Sequence, residues 1–154
     1  MSPLKYAEQI AYSSKEVLHF TYDMAVKYKD SPGVYVECGV AAGAQVIAMA
    51  AGAPNKTIYA FDSFEGIPLP SNKDNQMPGI AMLTKAEQAA LPDPGKQKLV
   101  SSGATVVSYD DYLEHLDAAG INLSNVYSTK GWFENTLPEI DFINEISILR
   151  LDGD

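Results

Sequence analysis

The chain has 154 residues, 46% of them hydrophobic, enough for one substantial core and too few for two ordinary domains. Twenty acidic side chains against eleven basic ones leave a net charge of -9, which makes nucleic acid and anionic membrane surfaces poor partners. No apolar run reaches the roughly 18 residues that span a bilayer, and MSPLKYAEQI lacks the order of a secretory signal, so a cytoplasmic location is expected; a single cysteine, Cys38, excludes an internal disulfide and a thiolate-rich zinc site.

Between Tyr6 and Tyr28 the apolar residues Ile10, Val17, Leu18, Met24 and Ala25 recur at helical spacing, which predicts one long helix or two shorter ones. Asp30, Ser31, Pro32 and Gly33 stop it, so residues 1–32 form an N-terminal helical segment. VYVECGV is a short β-rich run suited to a strand covered on both faces, AQVIAMAAGA resumes a helical period, and TIYAFD reads as a second strand. Such a unit closes as a right-handed parallel crossover. From residue 63 to 107 the texture turns to Pro, Gly, Asn and Lys, with helix candidates near Thr84 to Leu91 and Lys96 to Leu99. So long an insertion reads either as a lid over substrate or as surface decoration. SYDDYLEHLDAAG is a helix ending at Gly120, NVYSTKG a third strand, WFENTLPEI a loop or short helix, and ISILRLD a fourth strand. Strands alternating with helices predict an α/β fold on an open parallel sheet. His19 and His115 lie on predicted helices without a partner at catalytic spacing, and Cys38 sits inside an apolar run; all three are expected to be structural.

Chemistry concentrates at strand ends. In Glu37-Cys38-Gly39-Val40-Ala41-Ala42-Gly43 an acid closes a strand and two glycines flank the turn into a helix, whose free N–H groups suit a carboxylate or phosphate. The spacing is G-x-x-x-G, unlike the G-x-G-x-x-G of dinucleotide binders, and a plain tight turn is the competing reading. Asp62 closes the second strand 23 residues after Gly39, where doubly wound folds place an acid that accepts hydrogen bonds from ribose. Glu37 beside the turn favours a cofactor with a cationic end, such as S-adenosylmethionine, over a pyrophosphate.

The blocks ECGVAAG, FDSFEGIP, KGWFENTLPE and LRLDGD, in that order over residues 33 to 154, resemble the macrocin O-methyltransferase family of class I S-adenosylmethionine-dependent methyltransferases. The resemblance implies a Rossmann-like seven-stranded sheet of order 3-2-1-4-5-7-6, of which this chain supplies 3-2-1-4. It implies that residues 33–154 are the N-terminal part of a cofactor-binding domain, with 63–107 a lid-like insertion. Glu37, Gly39, Val40, Gly43 and Gln45 would hold the methionine part of the cofactor. Asp62 would take the ribose, Ser63 the adenine edge, and Gly131, Trp132 and Phe133 the border of adenine. Asp152 would be a ligand of Mg²⁺ next to the substrate hydroxyl, and Asp154 a second catalytic or base candidate; a hard oxygen site of that kind lowers the cost of deprotonating an alcohol. Gln45 departs from the Ser or Thr usual there, and its amide would donate to the cofactor carboxylate.

The implied activity is methyl transfer to a hydroxyl of a small sugar or phenol. The alternatives are a truncated cofactor-binding or interaction module without catalysis and a nucleotide-binding Rossmann domain. The metal site would be half complete, because the acidic pair that closes it in the family follows a fifth strand. The composition of ISILRL is that of an interior strand, so its open edge is expected to pair with a second copy or a missing half, giving a homo-oligomer.

Overall fold

The computed structural model describes residues 1–71, 84–90 and 99–153. Helices α1 (Pro3–Ile10) and α2 (Lys15–Tyr28) replace the single long helix that the periodicity also allowed. The break falls at Ala11–Ser14, where the Ser14 hydroxyl accepts from Val17 N and starts α2 afresh. Strand β1 (Val34–Cys38), helix α3 (Ala44–Gly52) and strand β2 (Ile58–Asp62) form the crossover. Helix α4 (Lys85–Ala89) lies in the insertion; of the second candidate there, Leu99 is not helical and residues 96–98 fall outside the described residues. Helix α5 (Tyr109–Ala118), capped by Ser108, leads to β3 (Val126–Lys130), the short α6 (Phe133–Thr136) and β4 (Ile146–Leu151).

The four strands pair in parallel in the order β3-β2-β1-β4, the expected Rossmann-like arrangement. One face is covered by α1, α2, α3 and α5 over a core that includes Leu18, Tyr35, Ile47, Met49, Ile58 and Leu116. Helix α3 is rich in alanine because it lies against both the sheet and α2, and Gly52 is a point of closest approach: a Cβ there would sit 2.9 Å from that of Ala25. The Tyr35 hydroxyl donates to Ala25 O (2.8 Å), and the buried Lys56 ammonium donates to Gly33 O (2.8 Å) and Ser31 O, tying the chain before β1 to the crossover. The other face has a smaller cluster, Val36, Cys38 and Phe61 under Phe133, Leu137 and Ile140. Toward β4 that face is open, with Leu149 and Leu151 exposed.

All four strands run the same way, so the turns after β1, β2, β3 and β4 gather along one edge. The ladder continues past the strands: Gly39 N donates to Phe61 O, Gly131 N to Asp62 O and Asp152 N to Cys38 O, at 2.8–2.9 Å. This edge is where open parallel sheets take their ligands, at the point where the strand order reverses between β1 and β4.

Candidate functional site

A cavity of about 510 Å³ opens at that edge, a size suited to one nucleoside-bearing cofactor. Of the residues expected from sequence, Glu37, Gly39, Val40, Gln45, Asp62, Ser63, Trp132, Phe133 and Asp152 line it. Gly43 and Gly131 do not. Gly43 starts α3 at φ +88° with its Cα against the Tyr112 ring, and Gly131 faces the Thr136 methyl; both shape turns from behind. Asp154 lies outside the described residues.

Glu37 has no solvent exposure and sits in the wall of the cavity. One oxygen accepts from Arg150 Nη1 at 2.8 Å, and the other, Oε2, has no hydrogen-bond partner. Burial pushes its pKa up to about 8 even with the guanidinium alongside. Arg150 reaches Glu37 because the two residues are paired across β1 and β4, and its Nη2 donates to Asp152 Oδ2 at 2.7 Å. Nothing in the local pattern singles out Arg150; the register of two strands 113 positions apart in the chain reveals it.

Asp62 lines the cavity and also holds the neighbouring turn. Its Oδ2 accepts from Val40 N (2.6 Å) and Ala41 N (2.9 Å), and Oδ1 from Phe64 N (2.7 Å). The N–H groups of Val40 and Ala41, in the turn before α3, are therefore engaged by a side chain of the protein. His115, expected to be structural, holds the same turn through Nδ1 and Ala42 O at 3.0 Å. Gln45 is also partly committed: Nε2 donates to Ser13 Oγ at 2.7 Å, and its buried Oε1 has no partner. One N–H of the amide goes to Ser13, and the second remains for a ligand.

The insertion contributes through its ends. Ile67 N donates to Ala104 O, Ser102 N to Ile67 O and Leu69 N to Val100 O, an antiparallel stem that the sequence did not signal. Ile67, Pro68, Leu99 and Val107 from this stem give the cavity an apolar wall beside Ser63, and Ile10 and Tyr12 close it from the joint of α1 and α2.

The sequence profile described as Macrocin-O-methyltransferase (TylF) matches residues 17–154. The chain belongs to this family. Among solved structures it is similar to the O-methyltransferase NovP (TM-score 0.63, 22% identity, covering 94% of this chain and 56% of that one). It is also similar to CalS11, a calicheamicin methyltransferase (TM-score 0.57, 19% identity, 93% and 55%). At these identities the likeness establishes the Rossmann-like fold, and the chain spans little more than half the length of either. No curated protein matches it.

The family implies S-adenosylmethionine, and the cavity fits it: a buried carboxyl oxygen without a partner waits for a donor or a cation, beside a glycine turn that brings backbone to the cavity wall. The described residues do not fit Mg²⁺. No group of three or more His, Cys, Asp or Glu able to hold a metal occurs among them, and the carboxylate expected to bind it, Asp152, is paired with Arg150. Beside Asp152 stands a guanidinium, and the described residues alone do not make up a Mg²⁺ site. No helix among the described residues is long and apolar enough to cross a membrane.

Proposed function

We propose that the chain binds S-adenosylmethionine in the cavity at the β1–β4 edge and serves methyl transfer to a hydroxyl of a small acceptor. The observation that carries this reading is the unpartnered, fully buried Glu37 Oε2 in the cavity wall, the counterpart of a cationic cofactor end. Glu37 would face the ammonium and sulfonium end, Gly39 and Val40 the methionine chain, Asp62 and Ser63 the ribose and adenine edge, with Trp132 and Phe133 against the base. When bound, S-adenosylmethionine would supply an electrophilic methyl that an acceptor oxygen attacks in line with the C–S bond, the C–O bond forming as the C–S bond breaks with its electron pair left on sulfur. Asp152, exposed in the cavity lining, would accept the acceptor's hydroxyl proton, with Arg150 orienting it.

Calorimetric titration with S-adenosylhomocysteine tests the reading: saturable heat with a stoichiometry near one is expected, and no heat together with no rise in melting temperature overturns it. A second reading, cofactor binding without turnover, is favoured by the acceptor side, where Asp152 is the only candidate base among the described residues. Transfer of labelled methyl to a panel of phenols and sugars separates the two. Pairing of the open β4 edge with a second copy is proposed on the place of β4 at the end of the sheet order. A monomer by sedimentation velocity at all concentrations overturns it.

A further inference from the structure

We propose that Asp62 is the anchor of the glycine turn, a positioning residue whose carboxylate sets how the amino-acid end of the cofactor is held, at the opposite end from the ribose that the family resemblance assigns to it. The proposal rests on the cofactor reading of the cavity.

Successive backbone N–H groups that converge on one point form a concave anion site. After β1 that site is made by Val40 and Ala41, and the anion in it is Asp62 Oδ2, delivered from the end of the neighbouring strand. The other oxygen accepts from Phe64 N, so the same carboxylate fixes the first turn of the insertion. The ends of the glycine turn are held independently: Gly39 N donates to Phe61 O, Gly43 N to Val40 O, and Ala42 O meets His115 Nδ1. What remains for Asp62 is the middle. There Ala41 adopts φ +48°, a left-handed conformation that a residue with a Cβ takes only when its surroundings hold it. Without the carboxylate two N–H groups lose their partner and Ala41 is released toward the right-handed region.

Two consequences follow. The Val40 and Ala41 N–H groups are not available to the cofactor's carboxylate, so the turn contributes shape to the methionine end and not charge. A lone pair left on Oδ1 can still receive a ribose hydroxyl, so the end of the ligand that suffers more from the loss of Asp62 decides which role dominates.

The test uses Asp62→Asn in the full chain, with two ligands and one ligand-free measurement. The ligands are S-adenosylhomocysteine, which carries the amino-acid end, and 5′-methylthioadenosine, which keeps adenine and ribose but lacks it. Affinity for the first is expected to fall roughly 10- to 100-fold, the range for losing a hydrogen bond to a charged group, and for the second by a few-fold at most. Adding Ala41→Gly, which accepts positive φ without help, is expected to restore part of the loss for S-adenosylhomocysteine only. Without ligand, hydrogen exchange at Val40 and Ala41 is expected to be slow in the parent chain and at least 10-fold faster in the variant.

Equal losses for both ligands overturn the proposal and leave Asp62 a ribose ligand. Fast exchange at Val40 and Ala41 in the parent chain overturns it even if the variant does not fold. Failure of the parent to bind S-adenosylhomocysteine overturns the cofactor reading, and with it the role toward a ligand, while the exchange data still decide whether the turn is anchored.

Discussion

Glu37 and Asp62 close neighbouring strands at the same edge of the sheet, and the fold compensates their charges by different means. Asp62 is half-buried and is neutralised by three backbone N–H dipoles fixed by the chain itself. Glu37 is fully buried and faces one side-chain cation, Arg150, with an oxygen left over. The dipoles cannot leave, so the first arrangement is a piece of architecture. The second stays open to change, by a proton or by a cation from a ligand, and belongs to a site that responds when occupied.

The largest effect is expected from removing the cation. Arg150→Met keeps the length of the side chain along β4 but leaves Glu37 without a counter-charge. Breaking a buried pair on one side costs about 3–5 kcal/mol where the remaining charge must persist. Glu37 escapes part of that cost by taking up a proton, so urea unfolding should give a smaller loss at pH 6 and one that grows above pH 8. A loss independent of pH would mean that Arg150 does not govern Glu37. Asp62→Asn should cost less, about 2 kcal/mol for the weakened charge-assisted bonds to the turn, read from the same unfolding curves.

Glu37→Gln sharpens the contrast through pH. The folded pKa of Glu37 is raised by burial from the ordinary 4.5 to about 8, so the folded state holds this proton more tightly than the unfolded chain. Its contribution to stability is therefore complete below about pH 4.5 and is lost as pH rises through 8. The parent chain should weaken relative to Glu37→Gln between about pH 4.5 and 8 and level off above that. If the unpartnered oxygen receives the cationic end of the cofactor, binding of S-adenosylhomocysteine at pH 7 releases a proton. The binding enthalpy then depends on the buffer's ionisation enthalpy in the parent chain and not in the variant.

Much of this edge was legible from local pattern. The short β-rich runs, the glycines around Val40 to Ala42 and the acids at strand ends placed Glu37, Asp62 and Asp152 on one line, because parallel strands bring their C-terminal ends together whatever their separation in sequence. Partners were not legible. Arg150 meets Glu37 only through the β1–β4 register, His115 meets Ala42 O across 73 positions, and Ser13 takes the Gln45 amide from a joint between two helices that periodicity alone did not separate. The stem of the insertion went unsignalled because it is held by backbone bonds between residues 67–69 and 100–104, which leave no trace in side-chain pattern. Asp62 shows the same limit: its position was readable, but a side chain's choice between backbone and ligand depends on the path of the neighbouring turn.

The smallest effect on stability is expected at the third carboxylate, and there it should part company with function. The Asp152 side chain is 63% exposed and its pair with Arg150 faces solvent, so Asp152→Asn should change stability by no more than about 0.5 kcal/mol. Glu37 keeps its own bond to Arg150 in that variant, and the cofactor end of the cavity is untouched, so affinity for S-adenosylhomocysteine should stay within a factor of two or so of the parent. An amide cannot take the proton of an acceptor hydroxyl. In any methyl transfer the chain supports, the rate should therefore fall by about 10²–10⁴, the usual contribution of a positioned base. Unchanged turnover would assign the proton to another group and leave Asp152 only its pairing with Arg150.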